Sequence, residues 1–338
     1  MRVLSIAKRL IKQLRGDKRS IALMFVAPVF VMYLLSSILN SAATTPNIDV
    51  ISSTPATYVT KLQSLANVNL VANEVTALKN LNDKTTDAYI IFDDNIPRIT
   101  LDGVDPTITS LVIKTLNKLS TNSSSQKPNI NFLHGSMDMG AFDSMAPILM
   151  GFFIFFFVFL IAGVAFLRER ISGTLDRILA SPLKRWEIVL GYFLGFGAFV
   201  AIQTVILQVF SVYGLNVPMV GSFWAVLAIN LILASGSLAL GTLLSAFARN
   251  EFQLFQFIPL VIVPQIMFSG IFDLRNSPTW AKILSKIFPM TYGANALKDV
   301  MLRGKSLLEV KYDLIILIGY ALLFLILNTL ALKKYRKA

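Results

Sequence analysis

The chain has 338 residues, 55% of them apolar and 15% charged, with a net charge of +12 and no cysteine, and its mean hydropathy is +0.65. A soluble globular chain carries about 25% charged residues, so this composition fits lipid as solvent and excludes disorder, collagen and a disulfide framework. A net charge of this sign fits either a nucleic-acid surface or the rim of a membrane protein, and the placement of the cations decides between them.

The first 20 residues hold 7 Lys and Arg. Val3, Ala7, Leu10 and Leu14 recur at helical spacing, with Lys8, Lys12 and Arg15 on another face. That pattern fits a helix lying flat on an anionic leaflet, with an unstructured basic tail as the alternative. Six stretches then lack Asp, Glu, Lys, Arg and His: Ile21–Leu39, Met145–Leu167, Ile188–Tyr213, Phe223–Phe247, Phe252–Phe272 and Leu314–Leu332. Each is 19 to 26 residues long, and about 20 residues of helix cross the hydrocarbon core. The first is too long for the apolar region of a signal peptide, which favours a retained anchor over residues 21–40.

Between the first two spans, residues 41–144 hold 10 acidic and 7 basic residues and form the one acidic part of the chain. Strands are expected at Ile48–Ile51, Val68–Val71, Ala88–Phe92 and Ile99–Leu101, and helices at Ala56–Leu65, Glu74–Leu81 and Pro106–Leu119. The expected fold class is an α-helical polytopic membrane protein of six transmembrane helices with an inserted small extracytoplasmic α/β domain. Asn122–Gln126 reads as a polar linker, and its sequon as chance.

The leader, the loop 168–187, Arg249 and the tail 333–338 hold 17 Lys and Arg, which makes their side cytoplasmic. The loop 273–313 then lies outside although it holds 7 Lys and Arg. A re-entrant fifth stretch, broken by Pro259 and Pro264, would reverse the last span, and charge alone does not choose.

With His134 the only histidine and no cysteine, zinc-finger and His-Glu-x-x-His sites are impossible. Gly304-Lys305-Ser306 lacks the first glycine of a phosphate-binding loop, since Asp299 stands there. The uncharged spans disfavour an ion-coupled carrier or channel, whose coupling charge sits within the membrane. Their amides and small residues either join helices or line a polar route. Gln203, Asn230, Gln253, Gln256 and Gln265 are the candidates for that route.

The segment Arg168–Tyr192 (RERISGTLDRILASPLKRWEIVLGY) contains a short amphipathic helix. Ser172 is expected to cap it, Asp176 lies in its first turn, Leu175, Ile178 and Leu179 form its apolar face, and Pro182 stops it. Such a helix can fit a groove on another protein or rest on lipid headgroups.

Glu169-Arg170-x-Ser172-Gly173-Thr174-Leu175-Asp176, Ser181-Pro182-Leu183, Trp186-Glu187-Ile188 and Gly191 resemble the first cytoplasmic loop of ABC-2 type export permeases, the type V ABC exporters. Ala248-Arg249-Asn250-Glu251-x-Gln253 and the stretch Pro264–Gly304, with Pro289, Thr291 and Tyr292, are similar to the same family. The resemblance covers essentially the whole chain and looks closest to the drug and lipid exporter branch. It implies a coupling helix over Gly173–Ser181 that docks on a separate cytoplasmic ATPase, with Glu169 helping to transmit motion. Pro278–Met301, including Trp280, would be two short helices dipping back from the outer face. Ser277 and Pro278 would start the first of them and Gly304 would stop the second. It also implies a transport subunit rather than an enzyme, in a bacterial-type cell membrane with both termini cytoplasmic. ATP and Mg would be held by the partner and no cofactor by this chain. Expected partners are ABC ATPase subunits, a second permease copy or homologue, and lipids, with no nucleic acid. The main rival is a receptor whose outer domain binds a ligand and signals inward.

Overall fold

The computed structural model describes residues 2–16, 18–41, 45–52, 54–83, 85–93, 96–101, 111–116, 141–272 and 278–332. Both ends of the Pro106–Leu119 stretch, Asn122–Gln126, His134, Ser277 and the tail 333–338 lie outside them. The chain divides into two compact units, Met1–Ser36 with Phe142–Ala338, and Ser37–Ala141.

The smaller unit is built on β1 (Asn47–Ile51), α3 (Ala56–Gln63), β2 (Asn67–Val71), α4 (Glu74–Asn82), β3 (Ala88–Asp93), β4 (Ile96–Leu101) and a short α5 over 111–116. The sheet order is β2-β1-β3-β4, with β1 parallel to both β2 and β3, and β4 antiparallel at the edge. Pro97 sits in that edge strand opposite Phe92, where a missing N–H costs no central pairing. β4 starts three residues earlier than its apolar run because Ile96–Arg98 complete the hairpin with β3.

Both faces of the central strand are covered, as parallel strands require. Ile48, Val50 and Ile90 pack with Leu62 of α3 and with Val112 of α5, while Ile51 and Tyr89 pack with Ala77 and Leu81 of α4. Asp49 falls on the second face with no exposed surface. Its carboxylate accepts from Asn80 Nδ2 at 2.7 Å and from Asn69 Nδ2 at 3.4 Å. Asp49→Leu is expected to strip two amides of their acceptor, lowering local stability by about 2 kcal/mol. Hydrogen exchange of the β1 and β3 amides in the intact chain measures this, and unchanged protection would show that the amides find other acceptors.

The larger unit holds α1 (Arg2–Gly16), α2 (Lys18–Ser41) as far as Ser36, α6 (Ala141–Ile171) from Phe142, α7 (Thr174–Leu179), α8 (Arg185–Val209), α9 (Phe223–Ser245), α10 (Glu251–Ile266), α11 (Thr279–Ser285), α12 (Pro289–Met301) and α13 (Lys311–Ala331). Among the described residues five helices are long and apolar enough to cross a membrane: Phe142–Ile171, Arg185–Gly214, Phe223–Ser245, Glu251–Ile271 and Lys311–Ala331. A sixth apolar stretch, Met24–Ile38 of α2, is shorter. α8 and α10 both end in wider π-type turns, Phe210–Gly214 and Met267–Ile271. In α10 that turn follows Pro259 and Pro264, each of which removes a helix donor, and closes at Gly270 with φ 86°.

The core joins Phe155 and Phe159 of α6, Leu233 and Leu240 of α9, Met290 of α12 and Leu317 of α13. Polar side chains reinforce it: Ser237 Oγ donates to the Phe155 carbonyl, and Asn328 Nδ2 donates to the Ala239 carbonyl at 2.8 Å.

The amphipathic pattern of α1 holds, and part of its apolar face meets protein while Leu4 and Ile11 stay exposed. Ile6, Ala7 and Leu10 are buried, and a Cβ at Gly191 or Gly195 of α8 would lie 2.7 Å from Ile6 Cβ or 2.9 Å from Leu10 Cβ. Two glycines one turn apart thus form the groove in which α1 lies. Lys8, Lys12 and Arg15 stay exposed on the opposite side.

Candidate coupling site

The last turn of α6 carries three consecutive charges, Arg168, Glu169 and Arg170. Successive helical residues point about 100° apart, so each reaches a different neighbour. Glu169, only 3% exposed, accepts from Arg9 Nη2 at 2.6 Å, Gln13 Nε2 at 2.6 Å and the Tyr192 hydroxyl at 2.9 Å. Arg168 Nε donates to Glu251 Oε1 at 2.8 Å at the start of α10. Arg170 donates to the Ala246 carbonyl at 2.7 Å and to that of Ala248. Those carbonyls follow α9, whose C-terminal end attracts a cation. One helical turn therefore ties α6 to α1, α8, α9 and α10.

Tyr192 also lies beneath Arg9, whose guanidinium is 5.9 Å from the ring centroid, and Phe166 meets the ring edge-on at 5.0 Å. Burial disfavours the Arg9 charge, but Tyr192 and the Glu169 carboxylate outweigh it and hold its pKa above the ordinary value. Arg9 is the positive end of a fixed pair.

The expected helix after α6 is present but shorter, six residues, and Ser172 does not cap it. Its N-cap is Gly173 at φ 70°, a left-handed conformation that L side chains resist. Ser172 Oγ instead donates to the Glu169 carbonyl at 3.2 Å and shares a hydrogen with Thr174 Oγ1 at 2.9 Å. The helix ends before Pro182, where Ser181 Oγ donates to the Ile178 carbonyl at 2.5 Å. Leu175 and Leu179 are buried and Ile178 half-buried, whereas Asp176, Arg177, Ala180 and Pro182 are exposed. Glu187 accepts from the Lys184 N–H at 2.7 Å and starts α8. The result is a short projection with one face anchored and one presented.

The five amides considered for a polar route do not share one environment. Gln253 closes a cap at the start of α10, accepting from the Arg249 N–H at 2.8 Å while its own N–H donates to Asn250. Gln265 Oε1 accepts from the Met290 N–H at 3.0 Å and fixes the start of α12. Asn230 Nδ2 donates to Gln208 Oε1 at 3.1 Å. Among the described residues only Gln203, buried with both amide atoms unpartnered, and Gln256, exposed on α10, have no such structural bond.

Pro278 is the N-cap of α11 and Pro289 the first residue of α12, where its missing N–H costs nothing. Thr291 Oγ1 donates to the carbonyls of Phe268 and Ser285, each at 2.8 Å, and the Tyr292 hydroxyl donates to the Lys286 carbonyl at 2.8 Å. Trp280 is exposed. Lys298 Nζ donates to the Gly270 carbonyl at 3.1 Å. Gly304, at φ 69°, ends the turn after α12. Thr291, Tyr292 and Gln265 are thus the pins of the hairpin.

Sequence reasoning missed Arg9, Gln13, Tyr192 and the end-capping Arg170. The one signal for the α1 and α8 members was Gly191-x-x-x-Gly195, a close-approach pattern that required a partner helix.

Known proteins are similar to this chain in sequence. A sequence profile described as ABC-2 family transporter protein matches residues 18–330. The chain is 29% identical over 208 residues to ABC transporter G family member 20 of Dictyostelium discoideum, covering 61% of this chain and 28% of that protein. It is 26% identical over 151 residues to the probable multidrug ABC transporter permease YbhR of Escherichia coli, covering 44% and 41%. It is also 29% identical over 174 residues to the probable multidrug permease YbhS of the same organism, covering 49% and 45%. The matched stretch is less than half of each relative. With a profile match across nearly its full length and several membrane-length apolar helices, this multi-pass membrane protein belongs to the ABC-2 family of transporters.

Proposed function

We propose that the chain is the permease subunit of an ATP-driven exporter, and that a separate ATPase subunit docks on α7. The observation that carries this reading is the pairing of a presented face (Asp176, Arg177, Ala180 and Pro182) with an anchored base at Glu169. A push on α7 passes along α6 and, through the Glu169 cluster, to α1 and α8 together. Two permease copies, or this chain and a homologue, would enclose the route, with Gln256 and Gln203 as its polar members. Six spans, cytoplasmic termini, an outward smaller unit and an outward hairpin complete the arrangement. ATP and Mg belong to the partner. The cargo is an amphipathic drug, antibiotic or lipid-like molecule, in keeping with the permease names of the relatives.

Gly173→Pro tests the docking helix, because proline fixes φ near −65° where Gly173 needs a positive value. The variant is expected to reach the membrane in normal amount, yet to lose at least about tenfold of cargo-stimulated ATP hydrolysis, equivalent to about 1.4 kcal/mol of coupling. The native chain should bring down an ATPase on purification from its own membrane. A receptor needs none, so purification without one, together with normal export by the variant, would overturn the reading.

A further inference from the structure

α11 is seven residues long, too short to hold a helix alone. The carbonyls that end it are held from outside: those of Ser285, Lys286 and Ile287 accept from Thr291 Oγ1 at 2.8 Å, the Tyr292 hydroxyl at 2.8 Å and the Tyr320 hydroxyl at 2.5 Å. Ala281 and Ser285 are buried, so the other side of the helix is presented in a fixed direction. Trp280, Ile283 and Ile287 are each more than half exposed there, and their spacing of three and four residues makes them one apolar stripe. Lys282 and Lys286, four apart and exposed, form the stripe beside it.

An apolar stripe flanked by lysines is the surface of a helix that lies in a membrane interface. Two further observations place that interface at α11. Exposed Tyr213, Trp224 and Tyr312 stand at the end of α8 and the starts of α9 and α13, and rings at the ends of spans mark a lipid–water boundary. These ends lie on the side of the hairpin, since the Val220 N–H between α8 and α9 donates to the Met301 carbonyl of α12 at 2.8 Å. The second observation is charge. From Pro278 to Lys298 the chain has three lysines and no acidic residue, and Lys298 is bound to the Gly270 carbonyl. The surface of α11 therefore complements a phosphate. In a zwitterionic headgroup the lipid's own ammonium already faces that phosphate, so two lysines favour a headgroup of net negative charge.

We infer that α11 is an interfacial anchor that seats Trp280, Ile283 and Ile287 at the acyl boundary and binds the headgroup phosphate of an anionic phospholipid through Lys282 and Lys286. Two of the cations that run against the charge rule in the loop 273–313 thereby acquire a role. The inference rests on the transport reading only for the leaflet concerned, the outer one.

The test uses the intact purified permease, without ATPase, in nanodiscs whose two leaflets have the same composition. Trp186→Phe and Trp224→Phe, both at exposed positions, leave Trp280 the only tryptophan. Phosphatidylcholine brominated high on the acyl chain is expected to quench Trp280 more than the same lipid brominated near the chain end. Brominated phosphatidylglycerol should associate at least about fivefold more strongly than brominated phosphatidylcholine, as for one lysine at a headgroup. Lys282→Gln combined with Lys286→Gln should bring that ratio to one while the quenching itself stays, because the apolar stripe is intact. Inorganic phosphate at matched ionic strength should leave the ratio unchanged. Trp280 untouched by either lipid, a native ratio near one, a ratio kept by the double variant or a ratio abolished by free phosphate would each overturn the inference. So would a disulfide between copies of the otherwise cysteine-free chain carrying Ile283→Cys, which would show a second copy on the stripe. Both leaflets carry the same lipid and no ATPase is present, so failure here leaves the transport reading standing. An inward-facing hairpin or an absent ATPase leaves the binding result standing.

Discussion

Glu169→Ala is expected to abolish cargo-stimulated ATP hydrolysis while the protein still reaches the membrane. The native carboxylate is the common acceptor for Arg9, Gln13 and Tyr192, from two other helices. Its removal leaves one charge and two neutral donors around an emptied centre. Breaking this half-buried pair from one side costs about 1 to 3 kcal/mol, because Arg9 loses its partner but, at 35% exposure, keeps part of its water. What is left to hold the 15-residue α1 is the packing of Ile6, Ala7 and Leu10 against α8, so a penalty of that size is enough to loosen it. The expected outcome is release of α1 from α6 and α8 and a fall in coupling of about two orders of magnitude. Glu169→Gln separates charge from hydrogen bonding: its amide oxygen can still accept from Tyr192, so a smaller loss is expected. Arg9→Gln combined with Glu169→Gln should recover part of the loss, since no buried charge is then stranded. Normal stimulation in Glu169→Ala, or the same loss in single and double variants, would sink the clamp.

The sequence made the helices legible because lipid imposes a simple rule: uncharged stretches of membrane length. Strand positions in the smaller unit were legible to within a few residues, since β1 and β3 are short continuous apolar runs. What stayed hidden was pairing at a distance. Glu169 was marked by the motif around it, but nothing in the local pattern says that Arg9, 160 residues earlier, is its partner. Arg9 lies beside the apolar stripe of α1 and reads as one more leader cation. Ser172 misled for a related reason: Ser before an apolar turn usually caps it, whereas here Gly173 supplies the left-handed turn and Ser172 bonds backwards to α6. Among the amides, Gln253 stands three residues from Gln256, a spacing that fits one helix face, yet position three after Asn250 is a cap position. Helical spacing identifies a face and does not say what the face meets, and the part of it formed by Ile6, Ala7 and Leu10 lies on α8.

The groove for α1 yields the second large effect. At Gly195 a Cβ would lie 2.9 Å from Leu10 Cβ and 3.3 Å from Ala7 Cα, and the latter is backbone that cannot rotate away. Gly195→Val adds two further methyls on a stiff β-branched side chain, so α1 must lift as a body. Lifting it draws Arg9 and Gln13 from Glu169 without touching a charged residue. The expected result is therefore a copy of the Glu169→Ala phenotype by steric means: coupling lost, membrane insertion kept, and α1 amides exchanging at least about tenfold faster once the helix lacks its packing face. Gly195→Ala is the graded control, since its single methyl, 2.9 Å from Leu10 Cβ, also forces α1 to shift but by less than valine does, and should give an intermediate loss. The compensating change is Leu10→Ala in the Gly195→Val background. It removes the Leu10 Cδ1 contact at 2.9 Å but keeps the Cβ at 2.9 Å and Ala7 Cα at 3.3 Å, so it should return only part of the packing and part of the coupling. If Gly195→Val exchanged at the native rate and coupled normally, the groove would be shown to yield, and the close approach of α1 and α8 would have no part in transmission. If exchange rose while coupling persisted, α1 would be a passenger, and force from α7 would reach α8 through the link 180–184 and the Tyr192–Glu169 bond.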